Sequence, residues 1–377
     1  MMAEVQGRMR VLWWGTYDPD NPRVKILQQG LQCNGVEIVR CHRAIWGPQT
    51  KTQMTRFLKV WKILRCLCSY PRLVFCFFTA PKSETVVVSH LGLLDLFVLW
   101  PFSRVRGVTI VWDAFISLYD TVVFDRKLAS KGGIVAGLLW GLEYLACRMA
   151  DCIVLDTRAH ADYFAQTFRL PPEKIKVIHV GAEPTVFPPA TAEKFNDPEE
   201  FIVLFYGTFI PLHGIDTILD AARLAKGLPW KWVIIGKGQK DGRLRADLAA
   251  HQRENIEWIP WVDYSELSLW INRANVCLGI FGDTGKAARV IPNKVFQILS
   301  KGKPLITRDS PAVRELLSED EGVVLIPPAD AKALVEAVKK RQSLWKEFHL
   351  YHDVVRERIL PEYLGKQFLN LLQTRES

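Results

Sequence analysis

Lys286, Arg289 and Lys294 stand within nine residues of one another in the stretch GIFGDTGKAARVIPNKVFQILSKGKPLITRD. Pro292 suits the first turn of a helix, because a helix start leaves that N–H without an intrahelical partner anyway. Asn293 and Lys294 then fall in this turn, and Gln297 follows three residues after Lys294 on the same face. Cations beside a helix N-terminus make a diphosphate site: the amides point at the anion and the side chains supply charge. Lys286 sits in what reads as a glycine-rich loop, where a plain solvated lysine is the alternative. Gln297, one turn further in, can hydrogen-bond vicinal hydroxyls such as those of a ribose.

A second phosphate element lies upstream. FYGTFIPLHG follows a strand-like run and opens a helix. Gly207 permits close backbone approach, Thr208 follows it, and His213 is positioned to donate to the same anion. Gly236, in IIGKGQK, is another strand–glycine turn of this kind. Taken singly, each of these turns is equally at home in packing.

The elements that position these residues are two series of β-branched runs separated by helical segments. The first half opens as strand–loop–helix–strand, from Met9–Trp14 through the loop GTYDPDNPR to VEIVRC. TVVVSH, GVTIVWD, ADCIVLDT and EKIKVIHVG continue it. Such runs argue for a buried parallel sheet, whose ligands gather at the carboxyl ends of the strands. That edge would hold Gly15, Thr16, His90, Asp113 and Asp156. The stretch EPTVFPPATAEKFNDPEE reads as a linker, with a boundary near Pro188. FIVLFYG then restarts the pattern, and KWVIIGKG, IEWIP, NVCLGIFG, KPLITRD and GVVLIP complete a second doubly wound α/β unit. The expected division is 1–188, 189–350 and an amphipathic helical tail over 351–377 that crosses back to the first domain.

The 377 residues carry 49 Lys+Arg and 40 Asp+Glu, a net charge of +9, and 49% are hydrophobic. This composition excludes a disordered, collagen-like or disulfide-miniprotein chain. No apolar run approaches the ~18 residues of a membrane span, and the start lacks a signal-peptide pattern. The eight cysteines show no CxxC or His-spaced zinc pattern and read as buried thiols of a reducing, cytosolic compartment. Nearly all the excess charge, +8 of the +9, lies in residues 1–188, and no acid occurs between Glu37 and Glu84. In TQMTRFLKVWKILRCLC, Met54, Phe57, Leu58, Trp61 and Leu64 recur at helical spacing, opposite Arg56, Lys59, Lys62 and Arg65. A basic amphipathic helix of this composition suits an anionic membrane surface, here the inner face. A surface helix packed on its own core is the plainer alternative. No helix-turn-helix, zinc-finger or RNP signature points to nucleic acid.

These motifs together resemble the GT-B glycosyltransferases of the large retaining family GT4, which includes sucrose synthase-like and mannosyltransferase enzymes. The resemblance covers almost the whole chain and is strongest from Phe201 to Leu317. The family pattern P-x-K-x-x-E followed by G-K-P appears as PNKVFQILSKGKP, and PLHG and VIPNK resemble those of a recognisable subset of the family. The resemblance implies two Rossmann-like doubly wound parallel-sheet domains facing a central cleft, with the donor held by the second and the acceptor by the first. It gives Lys294 the donor diphosphate and Gln297 the ribose, where the family has a glutamate. The family's E-x7-E pair falls on Arg289 and Gln297, and its G-R…K-G phosphate pair on Gly207-Thr208 and His213-Gly214. Arg289 is inferred to replace a lost cation. The loop GTYDPDNPR resembles the family's first acceptor-side loop, with Gly15 and Thr16 near the donor. VWDAFISLYDT resembles the strand end that carries an acidic or His residue near the reacting sugar, which singles out Asp113, with Asp120 and Arg126 beyond it.

The activity implied is retaining transfer of a hexose from a UDP- or GDP-sugar to a saccharide or lipid-linked acceptor. Lys294, Arg289 and helix amides would neutralise the leaving diphosphate, so neither a metal nor another cofactor is expected. Two readings compete: a nucleotide-sugar epimerase or hydrolase on the same architecture, and a non-catalytic nucleotide-sugar-binding scaffold that lost the acidic pair.

Overall fold

The computed structural model of the protein describes residues 8–45, 56–90, 92–191, 200–238, 242, 245, 255–320, 322–344 and 349–374. Met54 lies outside the described residues, as do the side chains of Arg56, Phe57, Leu58, Lys59 and Lys62. Among the described residues no helix is long and apolar enough to cross a membrane.

The chain divides into two compact units, one of Met1–Val122, Ala129–Val180 and Pro361–Ser377, the other of Val123–Leu128 and Gly181–Leu360. The passage between them falls at Val180–Gly181 rather than near Pro188, because the intervening residues already pack into the second unit. There Phe187 meets the Tyr264 ring edge-on and its carbonyl accepts from the Ser300 hydroxyl at 2.7 Å.

The first unit is built on β1 (Arg10–Gly15), β2 (Glu37–His42), β3 (Thr85–Val88), β4 (Thr109–Asp113), β5 (Cys152–Leu155) and β6 (Ile175–Val177). All six pair in parallel, in the order β2-β1-β3-β4-β5-β6. The helices are α1 (Pro22–Cys33), α2 (Arg56–Thr79), α3 (Leu93–Arg106), α4 (Ile134–Met149) and α5 (Arg158–Phe168). Strand alternation feeds two cores. Leu12, Trp14, Val86, Ile110 and Trp112 face a core shared with α2, α3, α4 and α5, while Val11, Trp13, Val87 and Val111 face one shared with α1. The basic amphipathic segment is longer than its sequence pattern indicates. Helix α2 runs on through Pro71 to Thr79, burying Tyr70, Leu73 and Phe77.

The second unit repeats the plan with β7 (Phe201–Tyr206), β8 (Trp230–Ile235), β9 (Ile256–Ile259), β10 (Val276–Leu278), β11 (Leu305–Arg308) and β12 (Val323–Ile326), in the parallel order β12-β11-β10-β7-β8-β9. Its helices are α6 (Ile215–Leu224), α7 (Leu267–Arg273), α8 (Gly285–Arg289), α9 (Asn293–Ser300), α10 (Pro311–Arg314), α11 (Ala331–Ser343) and α12 (Asp353–Arg358). Strand order reverses between β7 and β10, so the strand ends there open the crevice where ligands of such sheets bind.

The tail stays with the second unit as far as Leu360. Helix α13 (Pro361–Gln373) then packs on α1 of the first unit. Gly30 and Gly365 let the two backbones touch: a Cβ on Gly365 would stand 2.0 Å from the Gly30 carbonyl carbon. Leu364, Phe368 and Leu372 complete that core.

The cysteines depart from expectation. Cys41 and Cys76 form a disulfide between β2 and α2, because packing of the helix on the strand brings Cα atoms 35 residues apart in sequence to 5.8 Å. Cys33 and Cys68 are exposed, and Cys66, Cys147, Cys152 and Cys277 are the buried thiols.

Candidate functional site

The second unit brings four of the predicted residues to one point at the β7–β10 crevice. Gly207 ends β7 with φ +142°, and a Cβ there would stand 2.8 Å from Lys294 Nζ and 3.1 Å from His213 Cε1. Gly236 ends β8 with φ +137°, and its own Cβ would stand 2.0 Å from the Gly207 carbonyl oxygen. Both positions combine a backbone conformation that L side chains avoid with the absence of room for one. We expect Gly236→Ala to lower stability by about 1–3 kcal/mol. Gly242→Ala, whose methyl would meet nothing within 4 Å, serves as the control. Urea unfolding midpoints of the two variants provide the check.

Lys294 enters from the first turn of α9. Its residue is only 5% exposed, and Nζ has no hydrogen-bond partner among the described residues. The ammonium lies 3.8 Å from the centroid of the Phe205 ring. A ring face offsets part of the lost hydration but none of the lost hydrogen bonds. Burial accordingly pushes the Lys294 pKa well below its ordinary value. His213, in the 3-10 turn Pro211–His213, responds in the same direction, through burial first and the nearby Lys294 charge second. Its Nδ1 donates to the Thr208 carbonyl, which makes Nε2 the acceptor of the neutral ring. Donation from His213 to an anion therefore requires a proton to be taken up.

Pro292 is the N-cap of α9, one position before the expected first turn, and it offers no side-chain cap. Asn293 and Lys294 open the helix, whose positive end carries the first-turn amides. Lys286 and Arg289 lie on the short helix α8, not in a glycine-rich loop. The Thr284 hydroxyl caps that helix by accepting from the Ala287 N–H at 3.2 Å. Lys286 is buried rather than solvated, Arg289 is half-buried, and α8 packs against the turn that carries His213.

Gln297 is engaged on both sides of its amide. Oε1 accepts from the Tyr206 hydroxyl at 3.0 Å, and Nε2 donates to the Tyr264 hydroxyl at 3.2 Å. Tyr264 in turn donates to Glu183 Oε2 at 2.8 Å. Glu183 therefore brings a carboxylate into the Gln297 network from 114 positions upstream in sequence. Sequence reasoning missed Tyr206, Tyr264 and Glu183, because no local spacing connects them.

In the first unit the predicted strand-end residues do share an edge, but their side chains are engaged by residues from elsewhere in the chain. Thr16 donates to Asp95, through N–H to Oδ2 at 2.8 Å and through Oγ1 to Oδ1 at 3.0 Å, and the Tyr70 hydroxyl donates to Oδ1 at 2.9 Å. A Cβ on Gly15 would fall 2.2 Å from Asp95 Oδ2. His90 is buried, with Nε2 3.2 Å from Asn21 Nδ2 and its ring edge-on to Phe115. Asp120 is buried at the start of the π-helical turn Asp120–Asp125, its N–H donating to Ser117 Oγ at 3.0 Å. Asp156 pairs with His160 at 2.7 Å, both buried.

Asp113 needs correction. It was expected to face a reacting sugar, yet it is 0% exposed and accepts from Arg23 Nε at 2.7 Å. Arg23, also 0% exposed, donates through Nη1 to the Ile178 carbonyl at 2.9 Å and lies over the Phe115 ring. Burial raises the Asp113 pKa while the guanidinium opposes the shift. The carboxylate is buried in an ion pair with Arg23. Arg23, Asp95, Glu143 and His160 are the buried polar residues that sequence reasoning overlooked here. Glu143, for example, accepts from Ser117 Oγ and from the N–H groups of Leu118 and Tyr119 at 2.7–2.9 Å.

Residues 200–342 match the family model described as Glycosyl transferases group 1. Among curated proteins, WcaL of Salmonella typhimurium, named for glycosyl transfer in colanic acid biosynthesis, is 25% identical over 216 residues, 54% of this chain and 52% of that protein. The amylovoran biosynthesis glycosyltransferase AmsK of Erwinia amylovora is 23% identical over 169 residues, 44% of this chain and 41% of that protein. The chain thus spans about half the length of the curated relatives it matches, or less. Among solved structures, sucrose-phosphate synthase from Thermosynechococcus elongatus superposes with a TM-score of 0.72 at 16% identity, covering 98% of this chain and 99% of that one. HepE of Anabaena in complex with UDP gives 0.67 at 12% identity, covering 98% and 100%. With the two six-stranded parallel sheets, these likenesses assign the GT-B fold.

Proposed function

We propose that the protein is a retaining glycosyltransferase of family GT4. It moves a hexose from a UDP- or GDP-sugar to a saccharide or lipid-linked acceptor in polysaccharide or glycolipid synthesis. The observation that carries this reading is Lys294 Nζ: a buried amine without a hydrogen-bond partner among the described residues, at the open end of α9 and against Gly207 and His213. A buried cationic group left unpaired costs stability, and an anion that arrives at the same point removes that cost. A diphosphate fits the demand, since the α9 amides, Lys294 and protonated His213 converge on it, with Lys286 and Arg289 on the adjoining α8. Support comes also from the names of the relatives and from the UDP held by HepE.

In the reaction the bond between the anomeric carbon and the diphosphate oxygen breaks as the acceptor oxygen bonds on the same face. The acceptor proton passes to the leaving phosphate oxygen, so no dedicated base is required. Lys294, Arg289 and the helix amides hold the charge that develops on the diphosphate, without a metal in this reading. Gln297, steadied by Tyr206 and Tyr264, offers its remaining donor and acceptor capacity to the ribose. The strand-end edge with Gly15, Thr16, His90 and Asp120 is assigned to the acceptor. The basic first unit supports attachment of the enzyme to an anionic inner membrane face.

Calorimetric titration with UDP, GDP, ADP and their hexose conjugates, without added metal, tests the donor site. Binding selective for one base, followed by transfer with retained anomeric configuration in the presence of acceptor, is the expected outcome. Release of free sugar without acceptor would instead identify a hydrolase, and an inverted product would refute retention. A second reading, a non-catalytic scaffold, is favoured by Arg289 and Gln297 standing where the family pattern has acids. Binding without transfer across saccharide and lipid-linked acceptors would establish it, and binding of none of the nucleotides would refute the diphosphate site.

A further inference from the structure

Helices α2, α3 and α4 lie side by side over one face of the first unit's sheet. Their inner sides are ordinary core: Tyr70, Phe77, Leu96, Leu99 and Cys147 are all buried against the strands. Their outer sides are also apolar. On α4 the exposed large side chains include Ile134, Val135, Leu138, Leu142 and Leu145, with Ile134 at 85% and Leu138 at 62%. Their spacing of three or four residues makes this a second stripe, opposite the buried Ala136, Glu143 and Cys147. Trp61, Leu64, Phe75 and Phe78 are exposed on α2, and Leu94, Trp100 and Val105 on α3. Soluble surfaces rarely present so many large apolar side chains together without a partner.

Charge identifies the partner. The two acids on these helices are both turned inward: Asp95 is held by Thr16 and Tyr70, and Glu143 by the Ser117–Tyr119 backbone and hydroxyl. The exposed charges among the described side chains of the three helices are all basic, namely Arg65, Arg72, Arg104 and Arg148. Two copies of the chain meeting through this face would oppose Arg65, Arg72 and Arg148 to one another, while the neighbouring Asp151 is already paired with Arg104 at 2.8 Å. An anionic bilayer satisfies both features, taking the apolar stripe into the headgroup–acyl boundary and the arginines at the headgroups.

We infer that the α2–α3–α4 face inserts into an anionic lipid surface, with the outer stripe of α4 as the apolar anchor. The inference deepens the membrane placement proposed above and rests on it for the class of partner. It replaces a purely electrostatic attachment through α2 by insertion of a different helix. Electrostatic attachment alone is released by salt, because screening acts within a few ångströms at molar ionic strength. An inserted apolar stripe keeps the protein bound.

The test is co-sedimentation of the full chain with vesicles of phosphatidylglycerol and phosphatidylcholine, at low salt and in ~1 M NaCl. Three proteins are compared: wild type, Leu138→Gln/Leu142→Gln and Arg65→Gln/Arg72→Gln. Wild type is expected to stay bound at high salt. The leucine variant should lose about tenfold in partitioning at both salt concentrations, while the arginine variant should weaken at low salt only. All substituted positions are exposed, so thermal unfolding and UDP titration report an intact fold and an unaffected second unit. Undiminished binding by the leucine variant, with loss in the arginine variant, would overturn insertion and leave electrostatic attachment standing. Absence of vesicle binding by wild type would overturn both. Concentration-dependent self-association of wild type, abolished in the leucine variant without any vesicle binding, would assign the face to a second copy and overturn the inference.

Discussion

Lys294→Met is expected to abolish nucleoside diphosphate binding and, at the same time, to raise the unfolding midpoint of the ligand-free protein. The two effects share one cause. In the free protein the Lys294 amine is buried without a hydrogen-bond partner among the described residues, against Gly207 and the Phe205 ring. Methionine fills similar volume without a charge to desolvate, so on the order of 1–3 kcal/mol of stability should be gained. In the bound protein the same substitution removes the cation from a buried diphosphate, at a cost of about 2–5 kcal/mol, or roughly 30- to 5000-fold in affinity. Thermal unfolding with and without UDP measures both effects. A variant that is destabilised when free, or that binds UDP as wild type does, would refute the assignment.

The depressed pKa gives this prediction a pH dependence. The unfolded chain protonates Lys294 below about 10.5, its ordinary value, whereas the folded chain resists protonation until a lower pH. Stability of the ligand-free protein therefore falls as pH drops below about 10.5, and this contribution stops changing below the folded-state pKa. His213, depressed from 6.5, adds the same sign of effect below that pH. Lys294→Met should reduce the slope of the alkaline part of the profile, leaving the share of Lys303, whose pKa burial lowers to about 7, and should lessen the part due to His213, which loses the nearby Lys294 charge. Diphosphate binding restores the charged forms, so it takes up protons and strengthens as pH falls toward neutrality. Calorimetry in buffers of different ionisation enthalpy reads that uptake directly.

The second large effect is structural. Asp113→Ala should destabilise the first unit by about 3–5 kcal/mol, because it leaves the Arg23 guanidinium in the core without its carboxylate. Replacing both partners, Arg23→Met with Asp113→Leu, should recover most of the loss, since a buried pair exchanged for apolar residues of similar volume is often neutral. Urea unfolding of the two single variants and the double variant gives the coupling. A catalytic Asp113 would behave otherwise: Asp113→Ala would keep its stability and lose turnover, and the double variant would recover nothing.

The proposed donor site was legible in the sequence because its motifs are local. Gly207 and His213 are six residues apart, Pro292 to Gln297 span two turns, and each motif sits where a strand run gives way to a helix. The edge proposed for the acceptor was legible only as a list of strand ends. Gly15, Thr16, His90 and Asp113 do end adjacent strands, but what each side chain does depends on residues far away in the chain. Arg23 meets Asp113 across 90 positions and Thr16 meets Asp95 across 79, and around Gln297 in the second unit Glu183 likewise meets Tyr264 across 81. No periodicity records such pairings.

By itself the sequence determined the class of architecture. Runs of β-branched residues without polar alternation can be buried only in parallel sheets covered on both faces, and glycines at strand ends allow phosphate-binding turns. It also determined where the cations of the proposed donor site stand along the chain. Tertiary structure alone decided their state. Whether Lys294 is a solvated charge or a buried base waiting for an anion, whether Asp113 is a reagent or half of an ion pair, and whether the α4 leucines face a core or the outside are questions of burial. Burial is fixed by what the rest of the chain packs against each residue, and the free energy of a charge or an apolar group depends on that environment far more than on its sequence neighbours.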